Sequence, residues 1–129
     1  MVGGAGQFGG TRLMREDVVV VTIEYRTGLL GFLSDETKNM PGNIALTDVA
    51  LALSWIQQAI AEFGGNPQSV TLSGFGQGAV LAHLLSLSPL TSSNFHKLVL
   101  LSGSAMCKGS VSLPYKYAKD LPSPYYIYK

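Results

Sequence analysis

The residues whose types and spacing suggest chemistry form one glycine-rich stretch, Gly74-Phe75-Gly76-Gln77-Gly78-Ala79. Apolar and β-branched residues precede this stretch and an apolar run follows it, so the pattern predicts a strand, a sharp corner and a helix. Two kinds of site occupy such corners. One is the nucleophile elbow Gly-x-Ser-x-Gly, which lifts a serine above a sheet. The other is the dinucleotide-binding Gly-x-Gly-x-x-Gly/Ala.

The stretch matches the dinucleotide-binding motif, but the residues that normally accompany this motif are missing. Such a site needs an acidic residue roughly 20 positions further on, at the end of the next strand, to hold the ribose. No Asp or Glu occurs between Phe63 and Lys119, and the Gly-Lys-Ser/Thr of a phosphate-binding loop is missing. A second match to the dinucleotide-binding motif, from Gly4 to Gly9, follows no predicted strand. Nucleotide binding is therefore the weaker interpretation.

The elbow alternative fits everywhere except at its central residue. An elbow needs glycine two positions before and two after the nucleophile because strand and helix nearly touch there, and Gly74 and Gly78 occupy those places. Gly76 stands at the tip, where the backbone is strained. Glycine adopts that conformation at little cost but supplies no hydroxyl. The amide of Gln77 can still donate to an oxyanion, yet the sequence predicts no catalytic residue.

Other nucleophiles and bases do not replace the missing serine. Ser73 precedes the tip of the corner, and Ser102 and Ser104 follow the next predicted strand. His83 lies in an apolar helix and is predicted to be a core histidine. His96 follows a loop and is predicted to be exposed. A catalytic triad needs all three roles, and loss of one costs orders of magnitude in rate.

The composition excludes several classes of function. Apolar residues make up 47% and charged residues 13% of the 129 residues, which predicts a globular domain. The net charge of +1 does not indicate a basic surface that would bind nucleic acid. Two histidines and the single cysteine, Cys107, give no zinc spacing, so neither metal nor cofactor is predicted. The N-terminus lacks the features of a signal peptide, and no unbroken apolar run reaches the ~18 residues of a membrane span.

The elements predicted around the corner alternate between strands and helices. Strands are predicted over 18–25, 70–73 and 98–101. The first is expected to be covered on both faces because its apolar residues do not alternate, and the third is expected to be buried. Helices are predicted over 46–63 and 78–87. This order predicts an α/β fold, with mainly parallel strands and crossover helices on the faces of the sheet.

The first predicted helix has the clearest pattern. Apolar residues recur at spacings of three and four and form one core-facing stripe, Leu46, Val49, Leu53, Ile56, Ile60 and Phe63. Asn43 or Thr47 is expected to cap its start, and Gly64-Gly65 to end it. Trp55 lies beside the stripe and is expected to contact a neighbouring element.

Long runs of the sequence resemble type B carboxylesterases and cholinesterases, which are α/β-hydrolases. These runs follow the family's order and spacing from about residue 8 to 105. The matching runs are residues 16–26, 28–33, 41–43, 46–48, 52–56, 60–67, 70–72, 78–79, 88–90 and 102–105. The resemblance implies a partial α/β-hydrolase domain over residues 1–105. A Tyr-, Pro- and Lys-rich tail over residues 106–129 is predicted to be irregular.

The departures from the family pattern carry the functional prediction. Where the family usually has Gly-Glu-Ser-Ala-Gly, Phe75 replaces the acid and Gly76 the nucleophile. The family's glycine-triplet oxyanion loop is expected upstream of residue 1, and its triad acid and histidine beyond Lys129. The resemblance thus implies a catalytically inactive segment.

The resemblance also implies a role and a compartment. Serine-less branches of the family, the neuroligin-like, neurotactin-like and glutactin-like ones, imply extracellular adhesion or ligand binding. The partner would be an extracellular protein or a small ester or lipophilic ligand. The alternative is a serine esterase that is active only in a longer product.

Overall fold

The computed structural model describes residues 6, 9–34, 37–39 and 41–110. The described elements follow in chain order: a 3-10 turn Leu13–Glu16, α1 Gly28–Phe32, α2 Ile44–Ala59, a 3-10 turn Ile60–Phe63, β1 Thr71–Phe75, α3 Gln77–Ser86 and β2 Lys97–Leu101. Most of the predicted tail, from residue 111 onward, lies outside the described residues.

Helix α2 confirms the apolar stripe that its spacing predicts. Four stripe residues are buried, Val49, Leu53, Ile56 and Ile60, whereas Phe63 is exposed. Asn43 lies at the N-cap with a φ of 56°, and its carbonyl oxygen, rather than its side chain, accepts bonds from the amides of Leu46 and Thr47. The helix continues into the 3-10 turn and ends at Gly64, whose φ of 81° suits a residue without a Cβ.

Strands β1 and β2 pair in parallel and place the corner at one edge of the sheet. Their register runs from Thr71 opposite Lys97 to Phe75 opposite Leu101. Helix α3 connects them, so the predicted order of strand, helix and parallel strand is confirmed for this part of the chain. The core cluster lies between the sheet and the two longer helices, and it comprises Val49, Leu53, Ile56, Ile60, Leu72, Ala82 and Leu85.

The prediction of a strand over 18–25 is wrong. Residues 18–27 lie outside every helix and strand of the structure. Val18, Val19 and Val21 are exposed, although Ile23 and Tyr25 pack against the core cluster. A strand forms only where a neighbouring strand pairs with its amides and carbonyls. Among the described residues, β1 and β2 pair only with each other, and no strand accepts this segment.

The expectation that helices cover both faces of the sheet is also wrong for the described residues. Burial alternates along both strands: Leu72 is buried, whereas Thr71, Ser73 and Phe75 are exposed. The same alternation in β2 leaves Lys97, Val99 and Leu101 exposed. The reason is that α2 and α3 pack on the same side of the sheet through the core cluster. The opposite side is called the open face below.

An ion pair between Arg26 and Asp48 links the irregular segment 18–27 to α2. Arg26 donates to Asp48 from its backbone N–H at 3.0 Å and from its Nε at 2.9 Å, and its Nη2 also bonds this carboxylate. The hydrogen bonds from Arg26 hold the pKa of Asp48 below its usual range. The same bonds raise the pKa of Arg26. Burial raises the pKa of the neighbouring Tyr25 hydroxyl.

One described helical segment, Ile44–Phe63, is long and apolar enough to cross a membrane by length and composition alone. It was not predicted as a span because polar residues interrupt it, among them Asp48 and Glu62. Its apolar stripe belongs to the core cluster, as in the core helix of a globular domain.

Candidate functional site

The glycine corner joins the end of β1 to the start of α3. Gly76 stands between them with φ 57° and ψ −118°, a region that L-residues enter only with strain. Its amide donates to the Leu101 carbonyl oxygen at 2.8 Å, and its own carbonyl accepts the amides of Ala79 and Val80 at 3.1 and 3.2 Å. The corner is therefore bonded both to β2 and to the first turn of α3.

The three glycines of the corner meet different constraints. A Cβ built on Gly74 would collide with the backbone of Gly78 and Ala79, so strand and helix do approach closely here. A Cβ on Gly76 would meet nothing within 4 Å in the structure, and its positive φ is the constraint instead. A Cβ on Gly78 would also meet nothing within 4 Å, and this residue has no positive φ. The expected steric need for glycine at position 78 is therefore absent from the described surroundings.

Phe75 and Gln77 flank the tip of the corner in the sequence. Phe75, which stands where the family usually has an acid, is 64% exposed. Gln77 is exposed and is the first residue of α3, so its amide has no carbonyl one turn earlier within the helix to bind. The structure thus places a backbone donor and an aromatic ring at the corner, and no hydroxyl at its tip.

One contact at the corner was missed by the sequence interpretation. His83 Nδ1 lies 3.1 Å from the Ser104 Oγ and accepts the amide of Ala105 at 3.2 Å. His83 is half-buried, so it is not the fully enclosed core residue that its apolar helix predicted. Its partners lie 21 and 22 residues away in sequence, beyond β2, and no local spacing signals the pair. Only the parallel pairing of the strands brings them together.

The remaining candidates lie apart from this contact. His96 is exposed at the opposite end of the sheet, as predicted, and its Nδ1 accepts the amide of Val70 at 3.3 Å. Ser73 lies on the open face, and Cys107 is an exposed free thiol. The described residues contain no group of three or more His, Cys, Asp or Glu side chains that could hold a metal ion.

A wide surface cleft of about 630 Å³ lies elsewhere, beside the Arg26–Asp48 pair. Apolar and aromatic side chains of α2 form much of its wall, including Leu51 and Trp55. Trp55 also contacts Phe63, with ring centroids 5.9 Å apart, so this contact lies within the segment that the sequence predicted as one helix. The cleft shares no residue with the corner, and the charges of its ion pair neutralise each other.

A parallel strand pair with its connecting helix, and a glycine corner at the carboxyl end of the first strand, define a segment of an α/β domain. The model of the carboxylesterase family matches residues 1–122. The chain belongs to the carboxylesterase family, as the runs quoted above predicted.

Individual relatives agree with the family match. The chain is 45% identical to Glutactin of Drosophila melanogaster over 104 residues, which is 81% of this chain and 10% of that protein. It is 41% identical to human Carboxylesterase 5A over 120 residues, 92% of this chain and 21% of that protein. It is 50% identical to Acetylcholinesterase-1 of Trittame loki over 96 residues, 74% of this chain and 17% of that protein. The chain therefore spans about a tenth to a fifth of the length of these relatives.

Proposed function

We propose that this carboxylesterase-family chain does not hydrolyse esters and acts through binding. The observation that carries the proposal is Gly76 at the tip of the corner. Its backbone has the strained conformation of a nucleophile position, with φ 57° and ψ −118°, and its side chain is a hydrogen atom. With no nucleophile there, no acyl-enzyme forms, and the amide of Gln77, the first residue of α3, has no oxyanion to stabilise.

Ser104 and His83 are the nearest substitute for a nucleophile and its base, and their other bonds argue against that role. His83 Nδ1 already accepts the Ala105 amide, which competes for the lone pair that a general base needs. Ser104 Oγ accepts the Met106 amide at 3.1 Å, as in a turn-stabilising serine. The partners described for His83 include no acid to orient the ring, as the third member of a triad does.

The binding role that we propose is recognition of an extracellular protein partner or of a small ester or lipophilic ligand. The resemblance to serine-less branches of the family supports this role, and so does the chemistry of the corner. An aromatic ring, Phe75, replaces the acid next to the tip. The change favours an apolar contact over a charged one at this position.

The second candidate function is a serine esterase activity of a longer product. The names of two relatives, Carboxylesterase 5A and Acetylcholinesterase-1, favour it. Because the chain spans only a fraction of those proteins, the two candidates must be separated by experiment.

Turnover of p-nitrophenyl acetate and p-nitrophenyl butyrate separates them. The chain, and the longest natural product that contains it, should hydrolyse both esters no faster than heat-denatured protein does. The matched variant is Gly76→Ser in the longer product. It should gain turnover if that product carries the downstream acid and histidine. Turnover by the unmodified protein that Ser104→Ala abolishes would overturn the proposal and identify the substitute nucleophile.

A further inference from the structure

The segment that follows β2 lies directly against the tip of the corner. A Cβ on Gly103 would collide with the Gly76 carbonyl oxygen and would lie 3.1 Å from the Ala79 Cβ. The same Gly76 carbonyl accepts the first bonds of α3. The position of Gly103 therefore limits how the Gly76 peptide can turn, and whatever holds residues 102–105 in place also holds the corner.

The contact that holds this segment comes from the middle of α3. His83 Nδ1 accepts the Ala105 N–H at 3.2 Å and lies 3.1 Å from the Ser104 Oγ. A backbone N–H can only donate, so Nδ1 must be the unprotonated ring nitrogen. The neutral ring then carries its proton on Nε2. The geometry at Ala105 thus assigns the tautomer of His83.

Ser104 is held from the other side by the turn that follows it. The Met106 amide donates to the Ser104 Oγ at 3.1 Å, which leaves the hydroxyl proton to point toward His83. The Ser104 carbonyl accepts the Cys107 amide at 3.1 Å and the Ser110 Oγ at 2.9 Å. Ser104 thereby connects the turn over residues 105–110 to helix α3.

We propose that His83 is a positioning residue for the corner. As the Nε2–H tautomer it fixes residues 104 and 105, these fix Gly103 against the Gly76 carbonyl, and the peptide at the tip keeps its strained conformation. His83 can lack this positioning role while the chain remains catalytically inactive. It can also have the role if the chain proves to hydrolyse esters.

Two measurements on the folded chain test the proposal. Nitrogen NMR of the His83 ring should show Nδ1 unprotonated and Nε2 protonated near neutral pH. Hydrogen exchange should show the Gly76 amide protected in the unmodified chain. In His83→Leu and in Ser104→Ala, that amide should exchange about five- to tenfold faster, as expected for the loss of one or two ordinary hydrogen bonds.

Two further variants separate positioning from general stability. His83→Asn keeps an acceptor on Cγ and should recover most of the protection at Gly76. His96→Leu removes a comparable bond, the one from the Val70 amide, at the far end of the sheet. It should leave the Gly76 amide unchanged.

Several results would overturn the proposal. One is a protonated Nδ1 in the His83 ring. Another is an unchanged exchange rate of the Gly76 amide in both His83→Leu and Ser104→Ala. The third is an equal rise of that rate in His96→Leu. If His83→Leu does not fold, the ring nitrogen spectrum of the unmodified chain and the exchange of Ser104→Ala decide the question.

Discussion

At the scale of the residue, two of the three glycines of the corner are required, each for a different reason, and the third is not. Gly74 is required because the backbone of Gly78 and Ala79 lies where its side chain would be. Gly76 is required by its φ of 57°, with open space around it. Gly78 lies in the first turn of α3 with neither constraint. A shared spacing in the sequence therefore conceals three different physical situations.

Alanine at each position should separate these situations. Gly74→Ala should destabilise by about 3 kcal/mol, at the upper end of overpacking costs. Gly76→Ala should cost about 1–3 kcal/mol from backbone strain alone. Gly78→Ala should stabilise by about 0.5–1 kcal/mol, because alanine is the better helix former. Urea midpoints at constant slope measure all three, and equal losses at positions 74 and 78 would contradict this account.

The Arg26–Asp48 pair should make stability depend on pH in the acid range. Because the folded-state pKa of Asp48 is lowered, the contribution of the pair is present above the ordinary Asp pKa of about 4. It is lost as the pH falls through the lowered folded-state value. The pKa of Arg26 is raised, so this group stays charged throughout.

The test compares urea midpoints of the unmodified chain and Asp48→Asn from neutral to acid pH. The difference between them should be largest at neutral pH and should shrink below about pH 4. Solvent screens this exposed pair, so only the shape of the profile is predicted. Glu62→Gln, at an exposed position of the 3-10 turn after α2, is the control. A difference that grows on acidification would contradict the prediction.

At the scale of the element, helix α2 supplies much of the core, and its two faces should respond differently to truncation. Leu53 is 1% exposed within the core cluster, whereas Leu51, two positions earlier, is 71% exposed. Leu53→Ala should cost about 2–5 kcal/mol from lost burial and a residual cavity. Leu51→Ala should change stability by less than about 0.5 kcal/mol. Chemical denaturation of both variants measures the contrast, and similar costs would mean that the outer face of α2 is covered in solution.

The elements that the sequence predicted correctly are those that depend on local pattern. The stripe of α2 appears in the spacing of its apolar residues, and the corner appears in its glycines next to an apolar strand. The prediction of a strand over 18–25 failed because apolar residues in a sequence indicate burial but do not show whether a neighbouring strand is available for pairing. The contact of His83 with Ser104 was missed for a related reason. It depends on which strand lies beside β1, and the spacing within α3 carries no such information.

At the scale of the whole molecule, the residues that the structure describes cover only one face of the sheet. Phe75, Val99 and Leu101 are exposed on the open face, although parallel sheets in proteins are normally covered on both faces. The chain also spans only a tenth to a fifth of the length of its relatives. An exposed apolar sheet face of this kind favours association with other chains.

We therefore expect the isolated chain to self-associate and to have marginal stability. The double variant Val99→Thr and Leu101→Thr should raise the monomer fraction in light scattering without lowering the thermal midpoint. The matched change Leu98→Thr lies on the covered face, where Leu98 packs against the core cluster. It should lower the midpoint instead. A soluble monomer of the unmodified chain with a cooperative thermal transition would contradict the prediction.

The most direct test of the central claim is covalent labelling with a fluorophosphonate, which reacts with activated serines. The folded chain, and the longest natural product that contains it, should show no mass increase beyond that of a heat-denatured control, because Gly76 offers no hydroxyl at the corner. Peptide mapping would locate any adduct. An adduct on one serine of the folded protein, Ser104 above all, that abolishes ester turnover would contradict the account.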